Sequence, residues 1–253
     1  MFYRFIVSIS VALILTSCAQ SVLTSLSFPF SEPEINIDAA LGRDEWAKAV
    51  TLNGLIAPWE NDNPDQTKFK AFISENYFNF IFQVEDNTLI TQPFEKELSV
   101  AGGDRVELFF ASDRSLNNYY CVEMDPNGNI LDYSAENYRK FNEQWDFSSI
   151  EVSTKTTESG YVVEGKIALL ELENLGIGNS FYLGVFRADF KNSKSKEVSW
   201  YSWVKPQKSS PDFHIPSAFG KVSFAKLTGN NPPPKCSKKT YNSQMQDRYK
   251  LSI

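Results

Sequence analysis

The chain carries one histidine, three cysteines and five tryptophans, and these few residues bound the chemistry open to it. His214 sits in DFHIPSAFG, with Phe213 before it and Phe219 after it. A single histidine nearly excludes a Cys/His zinc cluster. A Ser-His-Asp or Cys-His arrangement would have to use His214, and no G-x-S-x-G motif is present. Carboxylates are plentiful: Asp104 and Glu107 in GDRVELFF could form the acid pair of a glycoside hydrolase, and a solvated strand edge gives the same pattern. In that stretch Arg105, Glu107 and Phe109 share one strand face by period two. Flat rings are the other resource. Trp59 lies in a polar loop, APWENDNPD; Tyr138 and Trp145 lie in NYRKFNEQWDF; Trp200 and Trp203 are oddly spaced and so face opposite sides of a strand. Such rings stack on apolar ligand faces when exposed and fill the core when not.

The elements that must position these groups read as strands. TKFKAFIS alternates apolar and polar residues, and NYFNFIFQVED is aromatic and β-branched. DRVELFFAS, NYYCVEM, ILDYS, IEVSTKTT, YVVEGKIAL, SFYLGVFRADF, EVSWYSWV and FGKVSF follow at short intervals. Pro126-Asn127-Gly128-Asn129 and Glu158-Ser159-Gly160 are turn signals between strand-like runs. Short helices are expected at Leu169 to Asn174 and around Asp44 to Ala49. Strands at this spacing, with no long helical period, predict an all-β protein, an antiparallel β-sandwich of jelly-roll type with one or two short helices. The sandwich is expected over 34–227, with a tether over 18–33 and a mobile tail over 228–253.

The first seventeen residues read as a signal: Arg4, an apolar run from Phe5 to Leu15, then small residues before Cys18. LTSC resembles a bacterial lipobox. The resemblance implies cleavage before Cys18, acylation of that residue and a lipid anchor, with Ala19 favouring the outer membrane and leaving the side of it open. The net charge of −6 argues against a nucleic-acid partner. Cys121, in a strand-like run, reads as a buried apolar residue, and a bond to Cys236 is a second possibility.

Six stretches in order resemble the carbohydrate-binding module family 9 group within the DOMON-like sandwiches. They are Ile37-Asp38 with Asp44-Glu45-Trp46; Tyr77 through Asp86; GDRVELFF; NYYCVEMDPNGNILD; Gly160-Tyr161-Val162-Val163-Glu164; and Trp203 with Pro206, then Phe213 to Gly220. The resemblance implies a non-catalytic sandwich that grips a glycan end between two rings, with structural calcium common. Carried onto this chain, Phe213 takes one ring position and Glu107 the acidic position. Ala101 stands where the second ring is expected, and Glu123 where a basic residue is expected. A pocket rebuilt from other groups would draw on Arg105, His214, Trp59, Trp145 and Trp203. Asp38, Asp86 and Asp113 are loop-edge carboxylates of calcium chemistry. Three other readings stay open: a structural lipoprotein with a decayed pocket, a hydrolase or lyase, and a haem b domain. The last is suggested by DOMON-like relatives and would use Met124 and His214.

Overall fold

A computed structural model describes residues 25–31, 34–60, 66–193 and 197–224. The expected signal, Cys18, Cys236 and the tail over 228–253 lie outside the described residues. Among those described, thirteen strands form in chain order: β1 (Ser25–Phe28), β2 (Val50–Asn53), β3 (Lys68–Ile73), β4 (Tyr77–Glu85), β5 (Arg105–Ala111), β6 (Tyr119–Met124), β7 (Ile130–Glu136), β8 (Lys140–Asn142), β9 (Glu151–Thr157), β10 (Gly160–Ala168), β11 (Ser180–Phe190), β12 (Val198–Ser202) and β13 (Gly220–Phe224). One short helix, α1 (Leu169–Asn174), and 3-10 helices at Asp44–Lys48, Glu97–Gly102 and Pro216–Ala218 complete them.

The strands make the expected sandwich. One sheet runs β1-β13-β11-β5-β6-β7-β8, with β12 also on β11; the other runs β2-β3-β4-β10-β9. Alternation explains the layering. Phe78, Phe80, Phe82 and Val84 of β4 meet Val106, Leu108 and Phe110 of β5 in the inter-sheet core. Each such ring contributes roughly 1.5–3 kcal/mol on burial. The alternate residues of the large sheet, Phe109, Tyr119, Cys121, Leu131, Tyr133 and Phe186, point the other way and pack under Phe213 and Phe219 of the last loop. A third cluster, Ile35, Ala39 and Trp46 on Phe72, Ile81 and Val162, covers the outside of the small sheet.

Two local features fix the hairpins that matter. In the β6–β7 turn, Asp125 Oδ1 accepts the Asn127 and Asn129 amides, and Gly128 takes φ 85°. On β11, Gly184 leaves room for the Phe186 ring: a Cβ there would lie 2.3 Å from it. The tether expected over 18–33 is corrected in part. Ser25–Phe28 is β1, which pairs in parallel with β13 and buries Phe28 completely. Cys121 is a buried free thiol on the outward face of β6.

Candidate functional site

The outward face of the large sheet holds a cavity of about 310 Å³, in the size range of small-ligand sites. Cross-strand register builds its floor. Arg105 on β5 lies opposite Ala188 on β11, which lies opposite Trp200 on β12. Because Ala188 is small, the guanidinium reaches across it to within 5.5 Å of the Trp200 ring centre. One row on, Glu107 faces Glu123 of β6, and Glu123 faces Leu131 of β7.

Arg105 ties these rows together. Its Nε donates to Glu123 Oε2 at 2.5 Å and lies 3.0 Å from Glu107 Oε1, and its Nη1 donates to the Ala101 and Gly103 carbonyls at 3.2 Å. Tyr133 donates to Glu123 Oε1 at 2.8 Å. The Arg105–Glu107 contact is an ion pair without hydrogen-bond geometry, so Glu107 Oε1 is a buried oxygen with no hydrogen-bond partner. Burial, reinforced by the Glu123 charge, pushes the Glu107 carboxyl up to about 8 against the pull of Arg105. Apart from its ion pair with Arg105, Glu107 Oε1 keeps its capacity for a hydrogen bond.

The walls come from loops. Asp212 accepts from Tyr138 Oη and Lys208 Nζ at 2.5 Å, from the His214 amide at 3.0 Å and from Arg139 at 3.2 Å. Burial opposes ionisation of Asp212, but the Lys208 and Tyr138 bonds hold its carboxyl below the ordinary value. Arg139 has φ 59° and lies 5.4 Å from the Phe141 ring. A left-handed arginine of this kind is held there by its surroundings. His214 packs 5.0 Å from both Phe109 and Phe141 and shares a hydrogen bond with Tyr119 Oη at 3.1 Å. Burial, aided by the Arg139 charge, lowers its pKa to about 3, so the imidazole is neutral. It is a peg that also lines the cavity.

The structure brings Arg105, Glu107, Phe213 and His214 of the expected site to one cavity. The four expected rings are placed as follows. Phe213 lines it only marginally, being 5 % exposed; its face is stacked on Phe186 at 4.0 Å and 7°. Trp59 stands behind Phe213 at 5.6 Å, outside the lining, and its Nε1 donates to the Lys208 carbonyl. Trp145 packs on Tyr120 and Phe147 at the inter-sheet core. Trp203 packs against that core and covers Gly220. Sequence reasoning named Trp200 only as one of two rings facing opposite sides, and missed Tyr133, Phe141, Leu98 and Asp212 as lining residues. Period two was the available signal for Trp200 and Tyr133, and nothing local marked the others.

Two other expected chemistries lose their geometry. Met124 lies in the inter-sheet core, on the opposite face of the large sheet from His214, so the two do not face one haem. Asp104 is not an acid partner of Glu107; its oxygens accept the Ile90 and Phe190 amides at 2.6 and 2.7 Å. The calcium carboxylates disperse as well. Asp38 pairs with Arg43, Asp113 accepts from Ser115, and Asp86 joins Asp104 and Asp189, all three with oxygens within 4.8 Å. Arg187 on Asp86 at 2.6 Å and Lys191 on Asp189 at 2.8 Å already supply positive charge there, so that trio does not suit a dication. Glu97, Asp132 and Asp146 have the better donor set for calcium: oxygens equally close, and no basic partner among the described residues.

The sequence model described as carbohydrate family 9 binding domain-like matches residues 37–227. The fold is similar to a candidate carbohydrate-binding protein from Bacteroides uniformis, with TM-score 0.61 and 13 % identity over 79 % of this chain and 99 % of that one. It is also similar to a family 9 carbohydrate-binding module from Caldicellulosiruptor kristjanssonii in complex with glucose, with TM-score 0.57 and 17 % identity over 83 % of this chain and 100 % of that one. The same comparison with a family 9 module of that organism in complex with cellotriose gives TM-score 0.57 and 16 % identity over 83 % and 100 %. No curated protein matches the chain.

Proposed function

The chain belongs to the carbohydrate family 9 binding domain-like family, and on that premise we propose that its outer-face cavity holds the end of a neutral glycan and leaves it intact. The observation that carries this reading is the cavity itself, bordered by Trp200, Tyr133 and Phe141 over the Arg105–Glu107–Glu123 group. A pyranose presents apolar C–H faces and a rim of hydroxyls. Rings take the first, and charged donors and acceptors take the second. Four acids line the cavity, Glu107, Glu123, Glu143 and Asp212, and even with Glu107 protonated near neutral pH the other three outnumber the two guanidiniums of Arg105 and Arg139. That balance opposes uronate and sulfated chains. Glucose and cellotriose, the ligands of the similar modules, are neutral and meet the same requirement.

Binding is favoured over cleavage because Glu107 and Glu123 are cross-strand neighbours held by one guanidinium. An acid/base pair flanking a glycosidic bond needs room between its carboxyls for the sugar. The rival reading, a decayed pocket, rests on Ala101 and Glu123. Arg105 answers part of it, since it supplies the cation that the Glu123 position does not, and Glu123 holds it in place.

Calorimetry and a glycan array test the proposal. Trp200→Ala is expected to weaken glycan binding by about 2 kcal/mol, close to thirty-fold, as loss of a central ring does. Absence of binding to every neutral glycan would leave the structural reading in possession.

The proposal includes the anchor: acylated Cys18 would hold the domain at the outer membrane. Cys18→Ser is expected to shift the protein from the membrane fraction to the soluble one. Continued sedimentation with membranes would remove the anchor.

A further inference from the structure

The pocket is not closed on every side. The 3-10 helix Glu97–Gly102 stands between it and a second depression, of about 730 Å³. Leu98 lines both, Ala101 faces the pocket, and Ser99 and Gly102 face the second depression. Strand register places the two side by side on one surface. On β12, Trp200 lines the pocket and Val198 lines the depression. Two residues apart, they share a face and are separated by about 7 Å along the strand. On β11, Phe186 packs under the pocket and Phe190 lines the depression, again on one face.

The partition between them carries no ring. Ala101 offers a methyl group where a clamp ring is expected from the sequence, and Leu98 is apolar and 46 % exposed. The second depression has its own chemistry. Gln92, Ser99, Asn192 and Ser193 supply amides and hydroxyls, Ile90, Pro93, Phe190 and Val198 supply apolar surface, Glu95 adds a carboxylate, and among the described residues neither Lys nor Arg lines it. A lining of amide, hydroxyl and apolar groups with one carboxylate suits a neutral glycan, and the carboxylate opposes a sulfated or uronate chain.

We propose that this depression is a groove that takes the next units of the glycan whose end sits in the pocket, entering over Ala101 and Leu98. The inference rests on the neutral-glycan reading of the pocket. It makes the protein a binder of short chains instead of a clamp for one terminal unit.

Calorimetry with glucose, cellotriose and cellohexaose on the full chain tests it. Each tenfold in affinity is about 1.4 kcal/mol, within reach of one or two added hydrogen bonds with their apolar contacts. Cellohexaose is therefore expected to bind at least about tenfold tighter than glucose. Val198→Trp, filling the groove from a strand position that tolerates a ring, is expected to erase that gain; Val198→Ala, which trims apolar surface without filling the groove, is expected to reduce it only in part. Equal affinity for the three sugars in the parent overturns the groove, whatever the variants do. So does a length gain that survives in a folded Val198→Trp protein. Failure of all three sugars to bind the parent is a different result and overturns the pocket's reading as a neutral-glucan site.

Discussion

Arg105→Met is expected to destabilise the protein by about 3–5 kcal/mol at pH 8 and to abolish glycan binding, because it leaves buried carboxylates without their cation. Arg105, Glu107 and Glu123 are 6, 2 and 5 % exposed. In the native arrangement one guanidinium serves both acids and two loop carbonyls. Methionine fills a similar volume and offers none of these donors. The loss should depend on pH in a direction the site dictates. In the folded parent the Glu107 carboxyl titrates near 8, against an ordinary value of 4.5. Between those values the folded state keeps a proton that the unfolded chain releases. Stability from this group is therefore lost as pH rises from 4.5 towards 8, and the loss is complete above that. Without Arg105 the Glu107 carboxyl is harder still to ionise, so the variant should lose more at pH 8 than at pH 5, where protonation of Glu107 relieves the repulsion. Urea unfolding at both pH values measures it. A loss under about 1 kcal/mol, or the same loss at both, would show that the ion group does not organise the floor.

The floor was legible in the sequence for a simple reason. Arg105, Glu107 and Phe109 lie in one strand, where period two alone decides which residues share a face. The walls were not, because they depend on which elements the large sheet brings beside that strand. Trp59, Trp145 and Trp203 have similar polar or strand-end surroundings in the sequence, yet one backs Phe213 and the other two pack at the inter-sheet core. Phe213 is near the expected position, but its face is covered by Phe186, a residue of β11 set opposite Glu107 by register. Trp200 and Trp203 read as pointing to opposite sides; which side is the outer one follows only from the packing of two sheets. The same limit hid β1. SLSF is only four residues long, with Leu26 and Phe28 its two apolar side chains, and its pairing with β13 closes a loop nearly as long as the domain. Non-local partners of this kind leave no local trace.

Glu164→Ala is expected to cost about 3–5 kcal/mol, the usual penalty for removing one partner of a buried ion pair, while leaving the cavity on the other sheet able to bind. Glu164 is fully buried on the outer face of the small sheet. Its Oε2 accepts the Asp38 and Ala39 amides at 2.9 and 2.7 Å; its Oε1 accepts the Trp46 indole at 3.0 Å and pairs with the Arg43 guanidinium. One carboxylate thus fastens the whole opening segment over Phe72, Ile81 and Val162. This gives two distant sequence stretches a common cause. The opening Ile-Asp and Asp-Glu-Trp and the later Gly-Tyr-Val-Val-Glu are the two halves of one lock, with Trp46 and Glu164 118 residues apart. Alanine leaves four donors unsatisfied and frees the segment, so amide exchange at Asp38 and Ala39 should rise before global unfolding. Trp46 fluorescence should shift towards that of a solvated indole. Glu164→Gln keeps an acceptor oxygen and should fall between the parent and the alanine variant. An unchanged urea midpoint, or protected amides at 38 and 39 in the alanine variant, would mean that the apolar cluster holds the segment without the carboxylate.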